Sequence, residues 1–341
     1  MKVIVNGRFL WQRATGVQNY ANGILKSLIK SGAVIEVVMP PFKDNRWEFS
    51  VKPIGYSNGF IWEQFFLPMY IRKQTDALLL NLCNTAPLAL KAKAVTIHDL
   101  AFEQELGNWF NKRFKQWYRF MIPRVCSSSK VIFTVSAFSK KELIKHYNIP
   151  AEKIVVAPPG LPDMTFDSSS LPKCDYVVVT GANNPRKNAS WVINNIDVLE
   201  KKGLTLVLVG NNAKAFNNLS FAGNKNIIYL ENVPSPSYFS LIKNAKALIC
   251  PSVYEGFGIP ILESLCLGTP VVASNIPVFK ETFGDLPLYF DLNDLTTYRK
   301  AVEGIAEKKV TTADIEMLKS KYNYEKSTQL ILETIEKLAK L

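Results

Sequence analysis

Pro251-Ser252-Val253-Tyr254-Glu255-Gly256-Phe257-Gly258-Ile259-Pro260-Ile261-Leu262-Glu263-Ser264 is the stretch on which the reading of this chain turns. The apolar run 247–250 before it reads as a strand, and Pro251 and Ser252 end that run. Gly256 and Gly258 permit backbone shapes closed to other residues, and Pro260 stands where a first-turn proline belongs. The spacing predicts a strand, a glycine-flanked turn and a helix starting at Ile259. The free N–H groups and partial positive charge of such a helix start suit a phosphate. Glu255 in the loop and Glu263 about one turn into the helix present two carboxylates to different parts of one ligand. A carboxylate accepts paired hydrogen bonds, as a vicinal diol of ribose or hexose offers them. A helix cap with a first-turn acid accounts for Glu263 alone, but not for Gly-x-Gly together with Glu255. The combination suggests an enzyme that handles a nucleotide-activated sugar.

Outward from this block, short apolar runs alternate with helix-length segments. Strands are expected at 2–5, 34–39, 77–82, 94–98, 131–135 and 153–157, then at 176–180, 204–209, 226–230, 247–250, 270–273 and 287–290. Several are unbroken Val/Ile/Leu runs, as parallel strands buried on both faces require. Helical patterns fall between them at 17–30, 137–147, 189–202, 237–244 and 259–267. The expected fold class is α/β, with two Rossmann-like doubly wound parallel-sheet domains facing a cleft. Between 158 and 172 the chain is rich in Pro, Ser and Asp, with neither helical nor strand period. That divides it into a first domain at 1–160, a linker at 161–172 and a second domain at 173–322. The remaining 323–341 ends in an amphipathic helix from Tyr324, with Leu330, Ile331, Ile335 and Leu338 on one side.

Composition narrows the class. With 341 residues, 48% hydrophobic, two domains of a folded protein are expected rather than one core or a disordered chain. Asn6 and Gly7 follow the first apolar residues too soon for a signal-peptide core, and the apolar run 77–90 is interrupted by Asn81, Asn84 and Pro87. A cytoplasmic location is expected. Five cysteines lack any C-x-x-C pair and read as free thiols; with two histidines, a zinc site is disfavoured. Residues 1–160 hold 22 Lys and Arg against 10 Asp and Glu, whereas the remainder balances 19 with 19. The whole excess of +12 thus lies in the first half, which should face something anionic.

A second basic loop, Gly181-Ala182-Asn183-Asn184-Pro185-Arg186-Lys187-Asn188, follows the first strand of the second half. Arg186 and Lys187 suit the clamping of a diphosphate. His98-Asp99 ends a strand of the first half, and Thr15-Gly16-Val17 opens its first helix, where backbone can approach a phosphate. No Asp-x-Asp motif of metal-using glycosyltransferases occurs.

These blocks together resemble a retaining glycosyltransferase of the GT-B fold, family 4, in the group of bacterial mannosyltransferases of surface-polysaccharide assembly. The resemblance runs through T-G-V-Q-N-Y at 15–20, I-H-D-L at 97–100, V-S-A-F-S at 135–139, K-I-V-V-A-P-P-G at 153–160, P-R-K-N at 185–188, the 251–264 block, G-T-P-V-V-A-S-N-I-P at 268–277 and N-Y-E-K-S at 323–327. It implies that Glu263 binds the ribose, that Glu255 holds hydroxyls of the transferred sugar, and that Arg186 and Lys187 neutralise the diphosphate. Gly256, Phe257, Gly258 and Ile259 would offer backbone to the donor, with Asn183 beside them. His98 would lie at the reacting carbon, Gly16 would let the first domain approach the phosphates, and the last helix would cross back onto that domain. Ala182 departs from the family, many members of which carry arginine there; Arg186 would substitute. The implied reaction is metal-independent, without cofactor, moving a hexose (mannose from GDP-mannose by preference) from a nucleotide-sugar donor to a saccharide or lipid-linked saccharide acceptor.

Other classes remain. Nucleotide-sugar 2-epimerases share a similar two-domain architecture. An acid–nucleophile pair of a glycoside hydrolase would leave the glycine turn and Arg-Lys pair without purpose. A dinucleotide oxidoreductase would need a third glycine where Ile261 stands, and no nucleic-acid-binding motif accompanies the basic half. Along 109–124, Phe110, Phe114, Trp117 and Met121 form one stripe with Lys112, Arg113, Lys115, Arg119 and Arg124 mostly elsewhere. Such a helix either packs on a core or meets an anionic membrane surface, peripherally, on the inner face of the plasma membrane.

Overall fold

The computed structural model describes residues 2–13, 15–41, 47, 49–56, 59–104, 109–169, 171–211 and 224–339. Among them, the first sheet consists of β1 (Lys2–Asn6), β2 (Ile35–Met39), β3 (Val51–Pro53), β4 (Ala77–Asn81), β5 (Lys93–Thr96), β6 (Val131–Thr134) and β7 (Ile154–Val156), in the order β3-β2-β1-β4-β5-β6-β7. The second consists of β8 (Tyr176–Thr180), β9 (Thr205–Gly210), β10 (Ile227–Glu231), β11 (Ala247–Cys250), β12 (Val271–Ser274) and β13 (Leu288–Phe290), in the order β10-β9-β8-β11-β12-β13. Every pairing is parallel. The central strands are apolar along their length and buried on both faces, which parallel sheets covered by helices demand.

Each sheet reverses its winding once, at β1/β4 in the first and at β8/β11 in the second. Open α/β sheets bind ligands outside the carboxyl ends of strands at such a reversal, because the loops there part in opposite directions. The loops after β8 and β11 are the two blocks on which the sequence reading rested.

The chain divides into two compact units. The first comprises Met1–Gln104, Phe110–Gly160 and Tyr322–Leu341, and the second is built on Leu161–Lys321. In the first, Tyr324 packs on Gly23, where a Cβ would collide with its ring, and Ser327 Oγ donates to Pro158 O at 2.7 Å. Residues 161–168 lack regular structure and are tied to the second unit by Asp167 N–H to Pro236 O at 3.2 Å.

Four expectations change in detail. The helix expected at 189–202 is broken into Ala189–Asn194 and Asp197–Glu200; Asn195 leaves helical geometry and its side chain donates to Trp191 O at 2.8 Å, the competition for backbone that asparagine brings to a helix. The last helix is Tyr324–Ala339; its buried stripe is Ser327, Thr328, Ile331 and Ile335, while Leu330 faces solvent. Lys340 and Leu341 lie outside the described residues. Phe110 and, in the helix Lys112–Ser128, Phe114, Trp117 and Met121 pack against the first unit's core, so that stripe is a core contact and Phe120 is the exposed aromatic of the helix. Of the cysteines, Cys126, Cys250 and Cys266 are buried, whereas Cys174 is exposed.

Candidate active site

The loop after β8 opens with Gly181 at φ +64°, makes a 3-10 turn over Pro185–Lys187 and leaves through Asn188 at φ 54° into the helix Ala189–Asn194. Asn184 caps the turn by accepting from Arg186 N–H at 3.0 Å. This turn delivers Arg186 and Lys187 side by side. Ala182, by contrast, is buried in the second unit's core. The loop after β11 ends at Gly258, which caps the helix Ile259–Cys266 at φ 109°. Only glycine suits that position: a Cβ there would lie 2.8 Å from the Phe279 ring.

Glu255 joins the two loops. Its Oε2 meets Arg186 Nη1 at 2.9 Å and its Oε1 meets Lys187 Nζ at 2.7 Å. Ser252 Oγ donates to Oε1 at 2.9 Å, and Arg186 also donates to Tyr254 O at 3.0 Å. Burial works to raise the Glu255 pKa, but the charges of Arg186 and Lys187 prevail and hold its carboxyl below the usual range. The result is a fixed carboxylate between two cations, at the reversal of the second sheet.

Glu263 is also buried, one turn into its helix, and accepts from Tyr238 Oη at 2.9 Å. Here burial wins: the pKa rises to about 7, against the Tyr238 hydrogen bond and the nearby Lys187 charge. The two glutamates thus differ in charge near neutrality because only one has cations in direct contact.

Asn183 also has partners within its own unit. Its side-chain oxygen accepts from Asn211 N–H at 2.6 Å and from Tyr229 Oη at 3.0 Å, so it fastens the β8 loop to the ends of β9 and β10. Phe257 is buried edge-on against Phe283, and Gly256 and Ile259 flank the turn. His98 and Gly16 belong to the first unit. His98 is buried beyond the end of β5, its Nε2 3.0 Å from Leu82 O and the Tyr20 ring edge-on at 4.9 Å. That carbonyl fixes the proton on Nε2 and leaves Nδ1 as an acceptor; burial lowers the pKa, so the ring is neutral. Gly16 is the exposed first residue of the helix Gly16–Lys30.

Three features were not foreseen: Ser252 on Glu255, Tyr238 on Glu263, and a small pocket at the β1/β4 reversal, lined by Asn6, Arg8, Phe9, Gln12, Glu63, Leu82, Cys83 and Thr85. In that pocket Arg8 Nη1 meets the buried Glu63 Oε2 at 2.9 Å, while Asn6 Nδ2 and Thr85 Oγ1 donate to Oε1 at 3.2 and 3.1 Å.

Two doubly wound parallel-sheet domains, one presenting a carboxylate and two cations at its reversal, define the GT-B architecture. Solved structures of that architecture align over nearly the whole chain: sucrose-phosphate synthase from Thermosynechococcus elongatus, at 14% identity with a TM-score of 0.76 over 99% of this chain and 98% of that one, and WaaG, a glycosyltransferase involved in lipopolysaccharide biosynthesis, at 15% identity with a TM-score of 0.66 over 99% and 98%. The family model for glycosyl transferases group 1 matches residues 164–316, and that for glycosyltransferase family 4 matches 14–163. This chain belongs to the GT-B glycosyltransferases of family 4. Among relatives, it is 26% identical over 269 residues to the O-antigen chain mannosyltransferase RfbU of Salmonella typhimurium, covering 78% of this chain and 75% of that protein. It is 28% identical over 233 residues to O-antigen chain mannosyltransferase B of Escherichia coli, covering 61% and 60%.

Proposed function

We propose that this glycosyltransferase transfers mannose from GDP-mannose, with retention and without a metal ion, to a saccharide or lipid-linked saccharide acceptor of a surface polysaccharide, at the inner face of the plasma membrane. Glu255 held between Arg186 and Lys187 is the observation that carries the reading. Breaking the C1–O bond sends its electron pair to the diphosphate and leaves positive character on the sugar. Arg186, Lys187 and the start of the helix Ile259–Cys266 stabilise the departing charge. Glu255, kept ionised, holds hydroxyls of the sugar, and Glu263 takes the ribose diol. The acceptor oxygen then bonds to C1 on the face the leaving group vacates, and its proton passes to the departing diphosphate. The small pocket at the first sheet's reversal presents the Arg8–Glu63 pair, which suits the acceptor's hydroxyls. Mannose as the transferred sugar is supported by the names of the O-antigen relatives.

The test is a thermal-shift screen across GDP-, UDP- and dTDP-sugars, since a specific ligand stabilises the fold by mass action. GDP-mannose should give the largest shift, and EDTA should leave turnover unchanged. Stabilisation by a UDP-sugar alone would refute the donor, activity restored by Mn²⁺ after EDTA would refute metal independence, and a β-linked product seen by NMR would refute retention.

A further inference from the structure

An indole stands exposed beside the small pocket of the first sheet. The 3-10 helix Gly7–Trp11 leaves β1 directly, and Arg8, Phe9 and Gln12 of this stretch line the pocket. Residues three apart eclipse in a 3-10 helix, so Trp11 shares an edge with Arg8, one turn or about 6 Å further on. Phe9 of the same turn is buried, whereas Trp11 is 49% exposed. The half-buried Trp47, from the segment between β2 and β3, sets its ring 6.2 Å from that of Trp11, tilted by 50°. Two indoles thus form one apolar shelf after β1. A ring of this size left open forgoes the burial its area makes valuable, and such rings mark binding surfaces.

The groups beside the shelf select its occupant. Glu63 is neutralised by Arg8 and accepts from Asn6 Nδ2 and Thr85 Oγ1. Arg8 spends Nη1 on Glu63 and, at 3.4 Å, on Gly59 O. A guanidinium carries five N–H groups in one plane, so those on Nη2 and Nε suit a further pair of oxygens. Gln12 is exposed, and its Oε1 accepts from Gln18 Nε2 at 3.0 Å, which leaves its own amide N–H groups to donate. Because the charges of Arg8 and Glu63 cancel, an anion gains little here and a neutral polyol gains hydrogen bonds. A pyranose ring matches both parts. Its C–H face stacks on an indole, and its hydroxyls leave from the ring edge. The pocket is also tied to His98. Leu82, Cys83 and Thr85 line it; Leu82 O accepts from His98 Nε2, and Asn84 Oδ1 accepts from His98 N–H at 2.8 Å. One loop, 82–85, therefore shapes the pocket and fixes His98.

We propose that Trp11, backed by Trp47, is a stacking platform for one pyranose ring of the acceptor saccharide, whose hydroxyls bind Arg8, Glu63 and Gln12. This rests on the acceptor reading given above and deepens it: the first unit selects a sugar ring, not merely a hydroxyl. Trp11 is a specificity-determining residue that holds substrate and moves no proton.

Saturation-transfer difference NMR on the whole chain tests this without donor. The probes are the methyl glycosides of α-mannose, α-rhamnose, β-galactose and β-N-acetylglucosamine, together with α-mannobiose. At least one should bind, with the strongest transfer to protons on one face of its ring. Trp11→Ala should weaken that probe about tenfold or more, and Trp11→Phe, which keeps a smaller ring, about threefold. Trp11 is largely open to solvent, so both variants should melt within about two degrees of wild type. The thermal shift given by GDP-mannose should also be unchanged, because the donor's proposed contacts lie in the second unit. Binding of no probe up to about 50 mM overturns the inference. So does wild-type binding by Trp11→Ala, or equal loss in Trp11→Ala and Trp11→Phe. A Trp11-dependent sugar signal without any shift from GDP-mannose would refute the donor and leave the platform standing.

Discussion

At the residue scale the site is a contrast between two buried glutamates. Glu255 contacts two cations and stays ionised; Glu263 has a tyrosine hydroxyl and titrates near 7. Removing Lys187 should cost twice. Lys187→Ala leaves the buried Glu255 with a weaker partner set, which lowers stability by roughly 1–3 kcal/mol, and it removes a donor to the leaving diphosphate, which lowers kcat by about 10²–10³. Calorimetry and steady-state rates at saturating donor measure the two effects; a normal kcat would remove Lys187 from the leaving-group role. Glu263 makes a pH prediction whose sign is fixed by its raised pKa. The folded protein holds that proton more tightly than the unfolded chain. The contribution to stability is therefore complete below the ordinary carboxylate range and is lost as pH rises to about 7. Glu263→Gln should stabilise the ligand-free protein at pH 8, by on the order of 1–3 kcal/mol, while weakening donor binding. Because Tyr238 favours the ionised form, Tyr238→Phe should push the midpoint of donor KM against pH upward, with kcat little changed. A midpoint that stays in place would show that Tyr238 does not tune Glu263.

At the element scale, the stop between β11 and its helix depends on Gly258. Its φ of 109° and the 2.8 Å approach of Phe279 leave no room for a side chain, so Gly258→Ala should cost about 1–3 kcal/mol and misdirect the turn that carries Glu255. A melting temperature within a degree of wild type would contradict this. The same element shows what sequence makes legible. The strand, the glycine cap, the first-turn proline and the phase of Glu263 are local, all written within seventeen consecutive residues, 247–263. What the sequence left dark lies across distance. Tyr238 is 25 positions from Glu263, and Arg8 is brought to Glu63 only when β1 and β4 pair. β3 escaped notice because it is three residues long and includes Pro53, and nothing in residues 62–66 announces a π turn. Asn183 reads from the sequence as a ligand group in a basic loop; what the sequence does not show is that Gly210 opposite it leaves the space its side-chain oxygen needs to accept from Asn211 and Tyr229.

For the whole molecule, the decisive feature is that the first unit is discontinuous, closed by a helix that the chain makes only after finishing the second unit. Tyr322, Ile331 and Ile335 are nearly inaccessible there, and burying side chains of that size contributes about 1.5–3 kcal/mol each. The Lys30–Glu325 ion pair of the same contact is well exposed on both sides and adds little. The helix is therefore held by its apolar stripe and by Tyr324 against Gly23, not by charge. Together these contacts amount to roughly 5–8 kcal/mol, comparable to the stability of a whole domain. Ending the chain at Lys321 should consequently unfold the first unit or leave it marginal. The second unit, whose sheet and Glu255 cluster lie wholly within Leu161–Lys321, should keep its fold. Hydrogen exchange on the shortened protein gives the readout: β1, β4 and the helix Gly16–Lys30 should lose protection while β8, β11 and the helix Ile259–Cys266 retain it. GDP should still raise the remaining melting transition, because its contacts are proposed to lie in that unit. Uniform loss of protection across both sheets would mean that the two units fold as one cooperative body, and that the returning helix stabilises the whole protein rather than the part it covers.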